Sequence, residues 1–592
     1  MLHQFIEQRL QQAVSAVLPE ADLTSVLVRP CPDPRFGDYQ SNAVMALAKA
    51  RKMNPRQLAA DVLAKLEVSE WCEEPELAGA GFINFRLKPT ALATALQSAA
   101  RGEHLFFRPT DQPRTILIDF SSPNVAKPMH VGHIRSTVLG DCLARTLRLL
   151  GHRVITDNHL GDWGTQFGML IVGWKTLLDP KALEADPLAE MERLYQVISA
   201  RCDPERPGFE PARLDQARSE LVKLQGGDAE NLAIWREMIR LSQAQFDAIY
   251  TRLGVTFDRT LGESFYSPRL PVVVSELMQK GIARESQVAK AILSDGTRPA
   301  KEDPFLVHKD GEWMPNPFII QKHDGGFNYA TTDLATLVYR LETWRPDEII
   351  YVTDGRQQLH FRQLFATFRR WRPDHRIKLA HVWFGSILGE DGTPFKTRSG
   401  ETVRLAGLLD EAEERAYQVV SEKNPALNES QRREIARIVG IGAVKYADLL
   451  PNRQSDYVFN WAKMLALDGN TAPYLQYAYT RTRSLARKAA AGAITWTNTS
   501  PLIITAPEEV ALAKQLLKFG LVLDAVAEEY RPNFLCNYLY ELAGRLSRFW
   551  ENCPVLKSPE PERTTRLILT NLTGLVLKQG LATLGIETTE QM

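Results

Sequence analysis

Two histidines flank a Val-Gly pair at His130-Val131-Gly132-His133, and the stretch before them reads Ser121-Ser122-Pro123-Asn124-Val125-Ala126-Lys127-Pro128-Met129. Histidine supplies ring N–H donors, glycine a backbone with no side chain in the way, and lysine a positive charge. The set suits an anionic guest that must be approached closely. When a carboxylate attacks an α-phosphate and pyrophosphate leaves, negative charge grows on the phosphoryl oxygens. Positioned donors stabilise that charge without a covalent step, so the histidines need not act as bases. Nucleotidyl transfer is the chemistry this spacing allows. A bare HxGH tetrapeptide also arises by chance, so its weight rests on context.

The neighbouring pattern supplies a scaffold. Thr115-Ile116-Leu117-Ile118-Asp119-Phe120 is a buried-strand run ahead of the motif, and a helix is predicted from about residue 133. On it Ile134, Val138, Cys142 and Leu150 share a face, with Leu139 and Leu147 beside it. A strand-to-helix junction aims free backbone N–H groups and the positive helix end at whatever docks there, and phosphate is the natural guest. A further strand-like segment at Arg153 to Thr156 completes a strand, helix, strand order that predicts a parallel α/β sheet. From about 175 to 260 the pattern is helical and charged, with Trp235, Met238, Ile239, Ser242, Phe246 and Ile249 tracing one stripe, and reads as an insertion. Strands are predicted again at Glu348 to Val352 and His381 to Phe384, with a helix from about Phe361 to Trp371 between them. A helix is predicted at about 404 to 416, and beyond about 455 the signal is helical almost to the end.

With 592 residues the chain should form several domains. Residues 1–110 mix helical patterns with short strands such as Gly81 to Phe85 and end in a linker-like RPTDQPR. The expected division is 1–110, 111–400 with its insertion, a connecting helical region 401–455, and 456–592. Lys plus Arg equals Asp plus Glu at 71 each, so any nucleic-acid contact must come from local basic surfaces. The six cysteines show no CxxC pair or zinc spacing and are read as reduced thiols of a cytoplasmic protein; no metal ligands are predicted. The first residues lack the apolar run of a signal peptide, and no segment has the ~20 apolar residues needed to span a bilayer. Gly440-Ile441-Gly442 lacks the third glycine of a dinucleotide fingerprint and sits in a helical pattern, and no GxxxxGK[ST] loop exists.

In these motifs the sequence resembles the class I aminoacyl-tRNA synthetases, whose His-Ile-Gly-His signature is matched by His130-Val131-Gly132-His133. It is most similar to their arginine-specific branch, through SSPNVAKPMHVGHIRSTVLGD at 121–141, GDWGTQFG at 161–168 and GNTAPYLQYAYTR at 469–481. The resemblance implies a Rossmann-like doubly wound parallel catalytic sheet, an N-terminal α/β domain and a C-terminal all-α helical bundle. It implies ATP as substrate with Mg2+, no tightly bound cofactor, and L-arginine and tRNA(Arg) as partners; no membrane partner is expected, and a monomer is. Arginine is joined to AMP, then passed to a terminal ribose hydroxyl of the tRNA, with bound tRNA needed for the first step.

Carried over by position, His130, Gly132 and His133 form the transition-state signature. Asn124 is similar to an arginine-binding residue, Tyr329 and Asp333 to a guanidinium-reading pair, and Asp119 and Gln357 to further substrate contacts. The pair makes physical sense, because a carboxylate accepts the parallel hydrogen bonds of a planar guanidinium fork that lysine cannot present. Without the family, Tyr329 and Asp333 read as a packing tyrosine and a helix-start aspartate. Lys-Met-Ser-Lys-Ser, the second class I signature, is absent as such; Phe395-Lys396-Thr397-Arg398-Ser399-Gly400 stands in its place, and Lys127 resembles a lysine that supplies the missing cation. Solvated loop charges are the alternative reading of Lys396 and Arg398.

The last region mixes Tyr474, Tyr477 and Tyr479 with Arg481, Arg483 and Arg487, and Tyr538 and Tyr540 with Arg545, Arg548 and Trp550. The mixture suits base stacking and phosphate contact, although most of the aromatics also fit a bundle core. By resemblance this region binds the anticodon, and the N-terminal domain, with Gly37-Asp38-Tyr39, meets the tRNA elbow. Two rivals stay open: a small-molecule adenylyltransferase, which has no need of the helical C-terminus, and a catalytically dead RNA-binding paralogue, which has no reason to keep His130, His133 and Asp333.

Overall fold

Five strands build the central sheet: β1 (Thr115–Asp119), β2 (Arg153–Leu160), β3 (Arg259–Gly262), β4 (Glu348–Tyr351) and β5 (Lys378–His381). In the computed structural model, which describes residues 1–286, 289–323, 325–395, 403–492, 494 and 501–592, they are all parallel and ordered β5-β4-β1-β2-β3. Ile116, Ile118 and Ile350 face a core shared with Val138 and Leu139 of the signature helix α1 (Val131–Leu149). Leu117, Ile349 and Tyr351 face a second core with Leu334 and Leu337 of α2 (Tyr329–Trp344) and Leu364 of α3 (Gln358–Trp371). Burial on both faces explains the unbroken apolar runs of the strands and gives the doubly wound architecture. Chain order reverses between β1 and β4, which opens a crevice at their carboxyl ends where ligands of such sheets bind.

One strand lies elsewhere than its pattern suggests. The run His381 to Phe384 is only the end of β5: Val382 donates to the Tyr351 carbonyl, and Phe384 is buried as it crosses to pair with Asp354. A short apolar run looks alike whether it lies in a ladder or in a buried crossing.

The expected helical insertion lies between β2 and β3, with helices Gln166–Leu177, Pro180–Ala185, Pro187–Cys202, Pro211–Gln225 and Ala229–Leu253. A second insertion, not anticipated, lies between β3 and β4. Its three-stranded antiparallel sheet comprises Ala283–Ser286, Ala289–Ile292 and Phe318–Lys322, and a hairpin pairs Leu306–Lys309 with Glu312–Pro315. Its strands are only four or five residues long, and those of the hairpin are almost wholly exposed, so they carry little alternation. Before the catalytic sheet, four antiparallel strands pack with helices that include Leu2–Val17 and Pro89–Ala100; beyond it, α4 (Leu405–Lys423) and α5 (Glu429–Leu449) pair and lead into the C-terminal helices. Gly440 and Gly442 lie inside α5. A Cβ on Gly440 would sit 2.6 Å from the Ala412 carbonyl oxygen, so this glycine serves helix packing. An ion pair from Lys514 to Asp38, 2.7 Å, ties the ends of the chain together.

Candidate active site

The signature histidines cap the helix they open. His130 is the N-cap of α1: its Nδ1 accepts the Gly132 N–H (3.1 Å), and the His133 Nδ1 accepts the His130 N–H (3.1 Å). With both Nδ1 lone pairs committed, each neutral ring carries its proton on Nε2 and presents it as a donor. Burial lowers the pKa of His133 to about 3, helped by His130. Burial first, then Arg356 and Lys127, lowers that of His130. The rings, 4.0 Å apart between centroids, are thus uncharged donors at neutral pH. Gly132 has a local role, since a Cβ there would meet the His130 ring at 2.9 Å.

The turn from β1 into α1 is held against its own preferences. Ser121, Ser122 and Ala126 all have positive φ, a conformation that costs non-glycine residues ~1 kcal/mol or more each. Hydrogen bonds from other elements fix it: Ser121 N–H to Ser136 Oγ (2.9 Å), Ser122 N–H to Asn158 Oδ1 (3.1 Å) and Ala126 N–H to Ser242 Oγ (3.0 Å). The GDWG motif abuts this turn. Val125 N–H donates to the Gly161 carbonyl, and a Cβ on Gly161 would lie 2.2 Å from Asn124 Oδ1, so glycine is what leaves room for Asn124. The helical insertion also reaches the site: Lys127 lies 4.9 Å over the Tyr195 ring, and Asp186 and Glu192 each pair with Arg404 at 3.2 Å. Main-chain pairing of Met129 and Val131 with Leu405 and Val403 brings Arg404 beside His130.

On the other side of the crevice, Tyr329 opens α2 and Asp333 follows one turn later. Glu263, just after β3, is their neighbour: burial, then the charges of Asp333 and Asp162, raise its pKa to about 8. Glu263 and Asp333 in turn raise that of Tyr329, after burial. Glu263, Asp333 and Tyr329 thus feel one another's charge, with the Tyr329 side chain 70% exposed at the head of α2. Asp333 Oδ2 also meets His360 Nε2 at 2.5 Å, with His360 packed by Phe318 and Phe361. A planar cation with several N–H donors satisfies such a set.

Gln357 is exposed at the turn after β4, beside Arg356, whose guanidinium is held by both oxygens of Asp354 (2.8 and 3.0 Å). Asp119 is placed differently from its neighbours. It is buried, its Oδ2 accepts from Arg340 (2.5 Å), its Oδ1 accepts from Ser122 Oγ (3.1 Å), and Arg340 also binds Asp157 (2.8 Å). Its carboxylate thus holds the sheet to α2 and to the strained turn. Lys396 and Arg398 lie outside the described residues. Glu263, Arg356 and His360 escaped sequence reasoning. Only the proximity of Arg356 to Gln357 and of His360 to the same turn offered any signal. Among the described residues, no group of three or more His, Cys, Asp or Glu is placed to hold a metal ion.

Capped imidazoles and flanking cations at a sheet switch point suit nucleotidyl transfer of the class I synthetase type. Comparison with known proteins narrows the class. Residues 96–461 match the family described as tRNA synthetases class I (R), catalytic domain; residues 4–87 match the arginyl tRNA synthetase N terminal domain, and 475–592 the DALR anticodon binding domain. The chain is 46% identical to the arginine--tRNA ligase of Laribacter hongkongensis, covering 100% of each, and 44% identical to that of Synechococcus elongatus, covering 99% of each. It superposes on the Thermus thermophilus arginyl-tRNA synthetase with a TM-score of 0.81 at 26% identity, covering 100% of both chains. The Plasmodium falciparum arginyl-tRNA synthetase gives a TM-score of 0.81 at 28% identity, covering 100% of this chain and 99% of that one. The chain belongs to the arginyl-tRNA synthetase family.

Proposed function

We propose that the chain is an arginine–tRNA ligase that joins L-arginine to AMP and passes it to the 3' end of tRNA(Arg), with Asp333, Tyr329 and Glu263 reading the guanidinium. The observation that carries this reading is the capping of α1 by His130 and His133, which commits both Nδ1 atoms and leaves their Nε2 donors at the carboxyl end of the parallel sheet. The arginine carboxylate attacks the α-phosphorus of ATP, and the bond to the pyrophosphate oxygen breaks. Nε2–H groups of His130 and His133 stabilise the charge that develops, and Lys127 and Arg356 attract the polyphosphate. Lys396 and Arg398 are assigned to the departing pyrophosphate. Asn124 and Gln357, at the mouths of β1 and β4, are assigned to the amino-acid end. Magnesium arrives with ATP, as hard cations bound through phosphates and water do. The ribose hydroxyl of the tRNA then attacks the adenylate carbonyl and AMP leaves.

For tRNA the C-terminal helices offer a cleft of about 380 Å³ lined by Tyr477, Arg481, Lys488 and Trp550. Arg481 lies 4.7 Å over the Trp550 ring, an arrangement suited to stacking a base and pairing a phosphate. Tyr479 and Tyr538 are buried and serve the core, while Arg483 and Arg487 are held by Glu590. The chain is read as acting as a monomer, and the N-terminal domain is assigned to the tRNA elbow. No helix among the described residues is long and apolar enough to cross a membrane. A small-molecule adenylyltransferase has no use for the C-terminal cleft.

The test is ATP–pyrophosphate exchange with arginine, with and without tRNA(Arg), and with lysine as control. Exchange needing both arginine and tRNA is expected. Exchange without tRNA at a comparable rate removes the tRNA-first order, and none under any condition removes the ligase reading.

A further inference from the structure

Arg135 stands two residues after the second signature histidine, on the buried side of α1, with 1% of its side chain exposed. It is among the largest fully buried side chains of the protein. Its Nε pairs with Asp448 of α5 at 3.1 Å. One terminal nitrogen donates to two carbonyls, Gly385 at 2.8 Å and Ser455 at 3.2 Å. Its guanidinium lies 5.7 Å over the Phe384 ring and 5.1 Å over that of Tyr457.

These partners lead back to the nucleotide side of the crevice. The Phe384 carbonyl accepts the Gly355 N–H (3.0 Å), which begins the turn that carries Arg356 and Gln357. Gly385 opens the approach to strand β6 (Ile387–Leu388), paired in parallel with β7 (Tyr457–Val458). A Cβ on Gly385 would lie 2.7 Å from the Ser455 carbonyl carbon, so the two segments touch at the point Arg135 bridges. From β6 the chain turns back through Pro394 to Phe395, whose ring stacks on Phe459 at 4.5 Å. One side chain thus joins the histidine helix, the Arg356 turn and the strand that leads to Phe395. A guanidinium fits this role because it spreads its donors in a plane; a lysine ammonium can replace its charge but not its reach.

A second buried pair joins the same helices with the polarity reversed. Lys445 of α5 lies 3.9 Å from Asp141 of α1 and donates to the Leu253 carbonyl at 2.6 Å. This pair touches neither the 384–388 segment nor the Arg356 turn, and Asp141 keeps Arg145 at 2.7 Å as a second partner.

We infer that Arg135 is a positioning residue for adenylate formation: through Gly385, Ser455 and Asp448 it sets the imidazole donors of α1 in register with Arg356 and with the strand that leads to Phe395. The inference rests on the ligase reading and concerns only its nucleotide half. Buried ion pairs often fix geometry rather than add stability, and small displacements of a catalytic group can cost about 10²-fold in rate.

The experiment compares Arg135→Lys, the charge-free double variant Arg135→Met with Asp448→Leu, and Lys445→Met as control, in the full-length chain with tRNA(Arg). Pyrophosphate-exchange kcat, KM for ATP, arginine affinity by calorimetry and Tm are read for each. Expected for the double variant are an exchange kcat lower by about 10²-fold and a KM for ATP raised several-fold. Arginine affinity and Tm should stay near wild type, because no charge is left unpaired and the carboxylate pocket lies elsewhere. Arg135→Lys should fall between, and Lys445→Met should exchange like wild type. Exchange within about threefold of wild type in the double variant, or an equal loss in Lys445→Met, overturns the inference. Absence of arginine-dependent exchange in the wild type itself would instead strike the ligase reading.

Discussion

Arginine should expel a proton as it binds, and Glu263 is the source. In the ligand-free protein, burial and the charges of Asp333 and Asp162 raise the Glu263 pKa from 4.5 to about 8. A guanidinium entering between Glu263 and Asp333 supplies the missing positive charge and favours the ionised form. At pH 7 a group with that pKa is about nine-tenths protonated, so binding releases about 0.9 proton per arginine, falling to about 0.1 at pH 9. Apparent arginine affinity should rise by about tenfold per pH unit between 6 and 7 and level off above 8. Titration calorimetry in buffers of different ionisation enthalpy measures the release directly. Glu263→Gln keeps the shape, Asp333 and its His360 contact, but removes the titrating group. Its affinity should be flat with pH and weaker than the wild-type plateau by about 2–5 kcal/mol, the usual cost of losing one partner of a buried charged contact.

The same shift has a stability sign. A carboxyl whose folded pKa is raised opposes ionisation, so the ligand-free protein loses stability as pH rises from about 4.5 to 8, by at most about 5 kcal/mol. Glu263→Gln should therefore raise the Tm at pH 8 and leave it unchanged at pH 4.5. Wild-type affinity that is flat from pH 6 to 8, with no proton released, would refute the reasoning, and Glu263 would then not share a pocket with the guanidinium.

Other residues give sharper local tests. Replacing His133 by alanine removes both the cap on His130 and an Nε2–H donor; exchange kcat should fall by about 10²–10³-fold with arginine affinity little changed, as measured by exchange kinetics alongside calorimetry. In Gly161→Ala the new Cβ would lie 2.2 Å from Asn124 Oδ1, so arginine affinity should drop with little change in KM for ATP. Asp119→Asn weakens the buried contacts to Arg340. Thermal or denaturant unfolding should show a loss of about 3 kcal/mol or more, and wild-type stability with lost arginine affinity would identify Asp119 as a direct substrate contact instead.

How much of this was legible in the sequence depends on whether a signal is local. The β1 run, the HVGH junction and α1 sit next to each other between residues 115 and 149, so their periodicity is complete within one short stretch; the parallel sheet followed from them, and the doubly wound arrangement from the family resemblance. Glu263 carried no such signal. It is an ordinary acidic residue that opens a four-residue helix, Glu263–Tyr266, and it gains meaning only because parallel pairing sets β3 beside β2 and brings its carboxyl end toward α2. His360 is equally silent, since its contact with Asp333 spans the strand between α2 and α3. The second insertion escaped because its strands are only four or five residues long and those of its hairpin are exposed, which leaves few positions for alternation to mark. Asp119 shows the reverse difficulty: resemblance marks the position as important, yet only coordinates reveal a carboxylate turned toward Arg340.

The motif glycines carry a related lesson about what a short pattern encodes. In the histidine signature and in GDWG, a glycine invites the reading that a ligand comes close to the backbone. Gly132 instead clears space for the His130 ring, Gly161 for the Asn124 amide, and Gly262, beside Glu263, for the Asp162 carboxylate that caps Ser264. Each leaves room for one side chain against the main chain, and at Gly132 the side chain it admits caps the glycine's own N–H. That is how two histidines come to offer a single kind of donor, and how a turn with left-handed serines stays ordered. Such sites are costly to build and easily relaxed by a single added methyl. Retention of these glycines together with the residues they accommodate therefore argues against a dead paralogue more strongly than the presence of the histidines alone.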